Sequence, residues 1–475
     1  MYSQKHEGES MRAFSKISQT IPRFARFALW VLPIGLCACS PDAPERENAE
    51  TESTLELFSW WTQAGEKEAL AELIEEYHSQ LPQVEVINAA SFDPETARER
   101  LKKRMESNEP PDSFQAISGV DLMTWVVQNK MTPLTELAVE QNWKEVFPSE
   151  VLETVSKEGV IYAVPLNIER DNNLYYNRKV LKENNVTAPS TLEEFFDACT
   201  RLKKSKITPL TQPAAGWIMA LLTFENLLPA VLGGEYYTEF FSGTASLQEE
   251  ELRSFFEEVK KVLQCSDVQE STASWGASAD TLYRGDAAMY VMGDWAKGYL
   301  EGGEDVNLKP RKPWVPNVDF GVLPGLGSGD YFVFNSAVFG LPVGALHPKA
   351  SRSFLRIAAS RAGQEAFNPL KGSIPARTDV DLGLFDEMVR TAADDFTLAA
   401  EGEGKLLPGY ATLTTFDYQK EVNPSLLVFA VGGARARQLD PANVSINELD
   451  VQALNVGYIV GKIMATYVLL SPAKE

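Results

Sequence analysis

Two adjacent tryptophans, Trp60 and Trp61, end an apolar, β-prone run (LELFSW, 55–60), and Glu66 stands where the residue period changes. Flat indole faces stack on the apolar C–H faces of sugar rings, while carboxylates and amides take hydroxyls, so the three are candidate carbohydrate contacts. Strand neighbours point to opposite sides, so both indoles cannot face one core; one core Trp beside one rim Trp is the plain alternative. Three more tryptophans sit next to turn-forming or polar residues: Trp217 in AAGW, Trp275 in SWGAS, and Trp295 in MGDW, directly after Asp294. Singly, each reads as packing. Their recurrence at strand ends, where open α/β sheets collect ligands, makes them candidates as a set.

Reaction chemistry finds less support. There is no GxSxG, HExxH, CxxC or P-loop pattern, and the glycine loop at 325–329 lacks the helix that a phosphate cradle requires. Of the 3 histidines, His6 lies in a leader, His78 ends a polar helix and His347 sits in a turn, none with a metal-ligand partner at useful spacing. No catalysis, no metal and no cofactor is expected. Paired carboxylates for glycoside hydrolysis stay as an alternative, which reducing-sugar release would test.

The elements that position these residues follow from periodicity. After the run at 55–60, Ala69, Leu70, Leu73, Ile74 and Tyr77 fall on one face of a helix reaching about Ser79, and VEVIN (84–88) reads as a strand. Strand, helix and strand at this spacing predict a βαβ unit and a parallel sheet. A helix is expected over 95–105. The segment 163–176 (AVPLNIERDNNLYY) reads as one long extended strand of the kind that bridges two lobes, and 192–262 reads as mostly helical. Further along, 332–341 predicts a strand, 351–361 a helix, and 446 onward a terminal helix.

The 475 residues suit two or three domains, and 44 Lys+Arg against 66 Asp+Glu give a net charge of −22. A nucleic-acid binder needs a basic stripe, so that class is set aside. Residues 12–26 are basic and 27–38 (FALWVLPIGLCA) uncharged, too short to span a bilayer but suited to a signal peptide. The run ends Leu36-Cys37-Ala38-Cys39, which fits a lipobox with Cys39 as the acylated residue; an ordinary cleaved signal is the alternative. An acidic tether over 39–53 and acyl chains on Cys39 would hold the fold outside the cytoplasmic membrane by lipid alone. Cys199 and Cys265 each close an amphipathic helix. In an oxidising compartment they could pair, or remain two buried thiols.

Five motifs then carry a resemblance over nearly the whole chain after the leader: SWWTQAGE (59–66), PPDSFQ (110–115), LNIERDNNLYYN (166–177), GDAAMYVMGDWAKGY (285–299) and FNPLKGSIPAR (367–377). The chain resembles the extracellular solute-binding lipoproteins of bacterial carbohydrate ABC importers, and within them the glucose/mannose-type branch. The resemblance implies an α/β, two-lobed periplasmic-binding-protein fold (type II), with discontinuous lobes, hinge strands and a ligand cleft. Its boundaries would be 1–38 leader, 39–53 tether, 54–166 and 325–372 one lobe, 167–324 and 373–475 the other. It implies cleft roles for Trp60, Trp61, Glu66, Gln115, Asp121, Asn167, Asn172, Trp275, Trp295 and Lys371, to which Glu169, Trp217 and Asp294 are added as neighbours. The implied partners are a carbohydrate and ABC permease subunits, for a monomer in the periplasm or on the cell surface. A sensor handing its closed form to a chemoreceptor or membrane kinase is the rival.

Departures from the family pattern bear on the ligand. Glu169 and Ile117 stand where that pattern carries histidines, Ala337 where it carries an acid, and 406–414 (LLPGYATLT) lacks a late histidine. Unpaired sugar hydroxyls would cost ~1–3 kcal/mol each when buried. The ligand should therefore differ from glucose or bind as glucose only weakly, with an apolar group beside Ile117 and a donor such as an amine facing Glu169.

Overall fold

The run at 55–60 becomes the strand Thr54–Phe58, and Ser59–Trp61 leave the sheet at its carboxyl end. In the computed structural model, which describes residues 52–90, 94–402, 405–439, 453–467 and 470, this strand pairs in parallel with both Glu85–Asn88 and Ser113–Ile117. The helix Glu66–Gln80 joins the first two, buries Ala69, Leu70, Leu73 and Tyr77, and completes the βαβ unit. Cys39, the leader and most of the tether lie outside the described residues.

Three sheets organise the chain. The first runs Glu85–Asn88, Thr54–Phe58, Ser113–Ile117, Ala337–Gly340, Ala163–Pro165, its last two strands antiparallel to their neighbours. The second runs Phe320–Pro324, Asn173–Asn177, Ala287–Val291, Thr208–Thr211. The third, short and between them, runs Ile374–Pro375, Asn167–Arg170, Phe332–Asn335, Leu406–Pro408. The fold is α/β and two-lobed, an N-lobe around the first sheet and a C-lobe around the second, each built around its own core.

The expected long strand at 163–176 is three strands, Ala163–Pro165, Asn167–Arg170 and Asn173–Asn177, one in each sheet. The expected strand at 332–341 likewise breaks into Phe332–Asn335 and Ala337–Gly340 in different sheets. Strand alternation explains how a hinge strand serves both lobes: Phe332 and Phe334 enter the N-lobe core while Val333 enters the C-lobe core. One boundary moves. Residues 373–399 do not open the C-lobe, because Ile374, Ala376, Val380, Phe385, Val389, Phe396 and Ala399 all pack into the N-lobe core. The return falls after the helix Glu387–Glu401, at the strand Leu406–Pro408, whose Leu407 joins the C-lobe.

In the C-lobe, the helix Leu192–Lys204 is linked to Glu249–Gln264 through a Cys199–Cys265 disulfide. The apolar stretch Gly216–Phe241 is long enough to cross a membrane, but 72% of its most apolar window is buried in the lobe. It runs as the helix Gly216–Ala220, a π-helical turn Leu221–Leu227 and the helical segment Leu228–Phe241, which is kinked at Gly233 where φ is 86°. The terminal helix is Val456–Tyr467, packed on Phe416–Val431 by Val456, Ile459, Val460 and Ile463.

Candidate functional site

Between the lobes lies a cavity of about 130 Å³, several times the ~10–15 Å³ that one water needs. Elements that begin or end at its wall set its lining. Trp60 follows the first strand, its backbone N–H donating to Gln115 Oε1 at 3.1 Å, and Gln115 itself is buried at the floor. Trp275 and Trp295 are the first residues of the helices Trp275–Arg284 and Trp295–Glu301, and Trp217 lies one residue into its helix. The rings of Trp217 and Trp295 stand 6.4 Å apart, and Trp275 meets Tyr299 edge-on at 5.2 Å. Trp60, Trp61, Trp217, Trp275 and Trp295 all border the cavity.

Not every expected contact reaches it. Trp61 is 2% exposed and sits in the N-lobe core, its ring 4.9 Å from Phe367 and 5.9 Å from Phe339, so only its edge borders the space. Asp121 does not line the cavity; it grips Arg98, which does, at 2.6 Å. Asn167 and Asn172 are fully buried hinge residues. Asn167 bonds Glu169, Ser373 and the Ala337 N–H, while Asn172 bonds Ser328, the Tyr331 carbonyl and the Val333 N–H. Both use up their amides in holding strands together. Asp294 turns the other way, into a recess it shares with Arg170 and Lys297, and accepts from the Arg170 N–H at 3.1 Å.

Lys371 stands behind the wall, not in it. It ends the helix Arg361–Lys371, where Gly372 at φ 84° stops the chain, and is 1% exposed. Its ammonium lies 2.5 Å from Glu169, 3.6 Å from Glu66 and 5.4 Å from the Trp295 ring centre. Burial acts to lower it, and the charges of Glu169, Glu66 and Asp294 outweigh that, so it is held above the ordinary lysine range. Glu66 lines the cavity and is pushed up to about 7 by burial, with Lys371 pulling down and Glu169 pushing up. Lys371 therefore serves Glu169 first. Glu169 also lines the cavity, and both Lys371 and Asn167 meet its Oε1. Ile117 and Ala337, both departures from the family pattern, do line the cavity.

Several wall residues escaped the sequence reading. Asp171 has the strand parity of Glu169, two positions on, and alternation could have placed it. Glu225, on the π-helical turn, was signalled by a lone acid in an apolar run. Burial and then the charge of Glu225 hold Asp171 well above the carboxylate range, and burial raises Glu225 to about 7. Arg98, Gln419 and Asn423 had no signal of their own. Arg98 Nη1 donates to Gln419 Oε1 at 2.7 Å and so ties the N-lobe helix Pro94–Glu106 to the C-lobe helix Phe416–Val431 across the cavity. The wall as a whole offers flat apolar faces beside acceptors and one guanidinium, an arrangement that holds a ligand by shape and hydrogen bonds.

The family model described as bacterial extracellular solute-binding protein matches residues 72–396. An uncharacterized ABC transporter extracellular-binding protein of Pyrococcus horikoshii is 30% identical over 381 residues, 79% of this chain and 83% of its own. A probable sugar-binding periplasmic protein of Mesorhizobium japonicum is 28% identical over 362 residues, 75% of this chain and 84% of its own. Among solved structures, a bacterial solute receptor with an exclusive preference for β-D-galactopyranose superimposes with a TM-score of 0.69 at 15% identity, over 88% of this chain and 98% of the other. A chitin oligosaccharide binding protein gives 0.69 at 18% identity, over 88% and 100%. At these identities the structures speak to the two-lobed fold.

Proposed function

Because the chain belongs to the bacterial extracellular solute-binding proteins, we propose that it captures a sugar in the inter-lobe cavity and delivers it to the permease subunits of an ABC importer. One observation carries the reading. The indoles of Trp60, Trp217, Trp275 and Trp295 converge from both lobes on a space whose polar wall is amide, guanidinium and carboxyl. Relatives named as sugar-binding support it, two of them named for glucose and for xylose/arabinose. The glucose/mannose branch is one choice among these, and the wall at Ile117 and Ala337 argues for a ligand other than glucose.

Delivery works by closure. A ligand touching both lobes stabilises the closed form by its differential affinity for that form, and closure presents a surface that a permease reads. Anchorage through Cys39 in the LCAC motif belongs to the same reading. A Cys39→Ala chain should appear in the soluble fraction or lose lipid-dependent processing, and persistent membrane association with unchanged processing would remove the anchor.

The test is a thermal-shift screen across mono- and oligosaccharides, followed by tryptophan fluorescence. A sugar at 100 times its Kd should add about 2.7 kcal/mol of stability, and the emission should change on saturation. Replacement of Trp295 by Ala should abolish both responses. No response to any sugar, with stabilisation by a non-carbohydrate solute instead, would overturn the proposal.

A further inference from the structure

Charge on the cavity wall is unevenly matched. Arg98 is held by Asp121, and Lys371 by Glu169. Asp171 and Glu225, 2% and 4% exposed and both on the wall, have no cationic partner among the described residues. Asp171 Oδ1 accepts from Asn335 Nδ2, and Glu225 Oε1 from the Tyr410 N–H at 2.7 Å. The second oxygen of each takes no hydrogen bond from the described residues. The two carboxyls are brought together on purpose-built backbone. A β-carbon on Gly409 would lie 2.5 Å from Asp171 Oδ2 and 3.0 Å from Glu225 Oε1, so only glycine lets them converge there. Glu225 owes its direction to the π-helical turn Leu221–Leu227, a conformation that is rare and recurs at functional sites.

Two carboxyls buried this close to one another resist ionising unless a cation joins them. Nothing among the described residues supplies one, whereas the neighbouring Glu169 has Lys371. Both acids line the same space as the indoles of Trp217 and Trp295. We propose that the ligand is an amino sugar, with its free ammonium seated between Asp171 and Glu225 and its ring against the indole wall. This rests on the carbohydrate reading above and narrows it. An ammonium brings three donors and no acceptor, which suits two acceptor oxygens, and its charge draws both acids into their ionised form. A hydroxyl in the same place would leave one acid to be neutralised by a proton alone.

Calorimetric titration of the intact chain at pH 7 with glucosamine, galactosamine, their N-acetyl derivatives, glucose and galactose decides it. At least one amino sugar should bind ten-fold or more tightly than both its acetylated and its neutral counterpart. The isosteric Asp171→Asn/Glu225→Gln variant should lose that preference, and Glu225→Gln alone should weaken it should the double variant fail to fold. Asp197→Asn, exposed on the C-lobe helix Leu192–Lys204, should leave it intact. Neutral sugars binding as tightly as amino sugars would overturn the inference and leave the carbohydrate reading standing. Binding of neither kind, with no response in the wider sugar screen, would remove both.

Discussion

Glu225 shows what one buried carboxyl does to the whole protein. Its pKa in the fold is about 7, against an ordinary value near 4.5, with burial as the cause. Between those values the folded chain holds a proton that the unfolded chain has released. Stability contributed by the protonated form is thus present at low pH and declines as pH rises through that window. At about 1.4 kcal/mol per unit, Glu225→Gln should remove about 2–3 kcal/mol of the difference between urea unfolding at pH 5 and at pH 8. The amide keeps an oxygen for the Tyr410 N–H, so the variant should be as stable as wild type or more so at pH 8. An unchanged pH dependence would mean that Glu225 is ionised in the fold. Glu66 acts in the same direction, tempered by Lys371. Asp171 and Asn172 make a sharper contrast at this scale, since adjacent residues point one into the cavity and one into the hinge.

Among the elements, the helices Leu192–Lys204 and Glu249–Gln264 pack on the C-lobe with strongly segregated faces, burying Phe195, Cys199 and Leu202 from one and Phe255, Phe256 and Val259 from the other. The disulfide between them spans a sequence separation of 66 residues, and neither cysteine lines the cavity. In the chain-entropy picture a loop of that length is worth about 4 kcal/mol, and native disulfides commonly return ~2–5. Cys199→Ala/Cys265→Ala should therefore lower unfolding stability by about 2–4 kcal/mol while sugar affinity changes less than two-fold. A large loss of affinity at unchanged stability would place the link in the binding machinery instead. The π-helical turn belongs to this scale as well, because helix continues on both sides of it while its Glu225 lines the wall, and the chain breaks only later, at Gly233.

For the molecule as a whole, closure depends on how near the lobes can come. Gly65 and Gly372, both at positive φ in the N-lobe, and Gly298 in the C-lobe helix Trp295–Glu301 meet backbone to backbone. A β-carbon on Gly298 would lie 2.5 Å from the Leu370 carbonyl oxygen and 2.7 Å from that of Lys371. Gly298→Ala should hold the lobes apart without disturbing either core. We expect ligand affinity to fall ten-fold or more and the radius of gyration with ligand to stay at its ligand-free value, with Tm within a few degrees of wild type. Unchanged affinity would show that closure tolerates the added carbon. The ion pairs Lys67–Glu304, Lys102–Asp417 and Lys420–Glu99 also cross between the lobes. As partly exposed pairs they contribute little each, so closure should depend only weakly on salt.

Periodicity made the βαβ start and the placing of Trp60, Trp275 and Trp295 at element ends legible in the sequence, because those features rest on local pattern, whereas the two-lobed class came only through the family resemblance that the motifs carry. The hinge was legible only as a place. Its segments 163–177 and 332–340 change sheet every few residues, and alternation tells which side a residue takes but not which lobe covers that side. For that reason Asn167 and Asn172, polar and in a recognised motif, proved to be ties between strands, whereas Asp171 in the same motif reached the wall. The charge state of the wall was hidden for the same physical reason. Whether a carboxyl is neutralised depends on a cation brought to it through space, and Lys371 reaches Glu169 from a helix some two hundred residues away, leaving Asp171 and Glu225 without one.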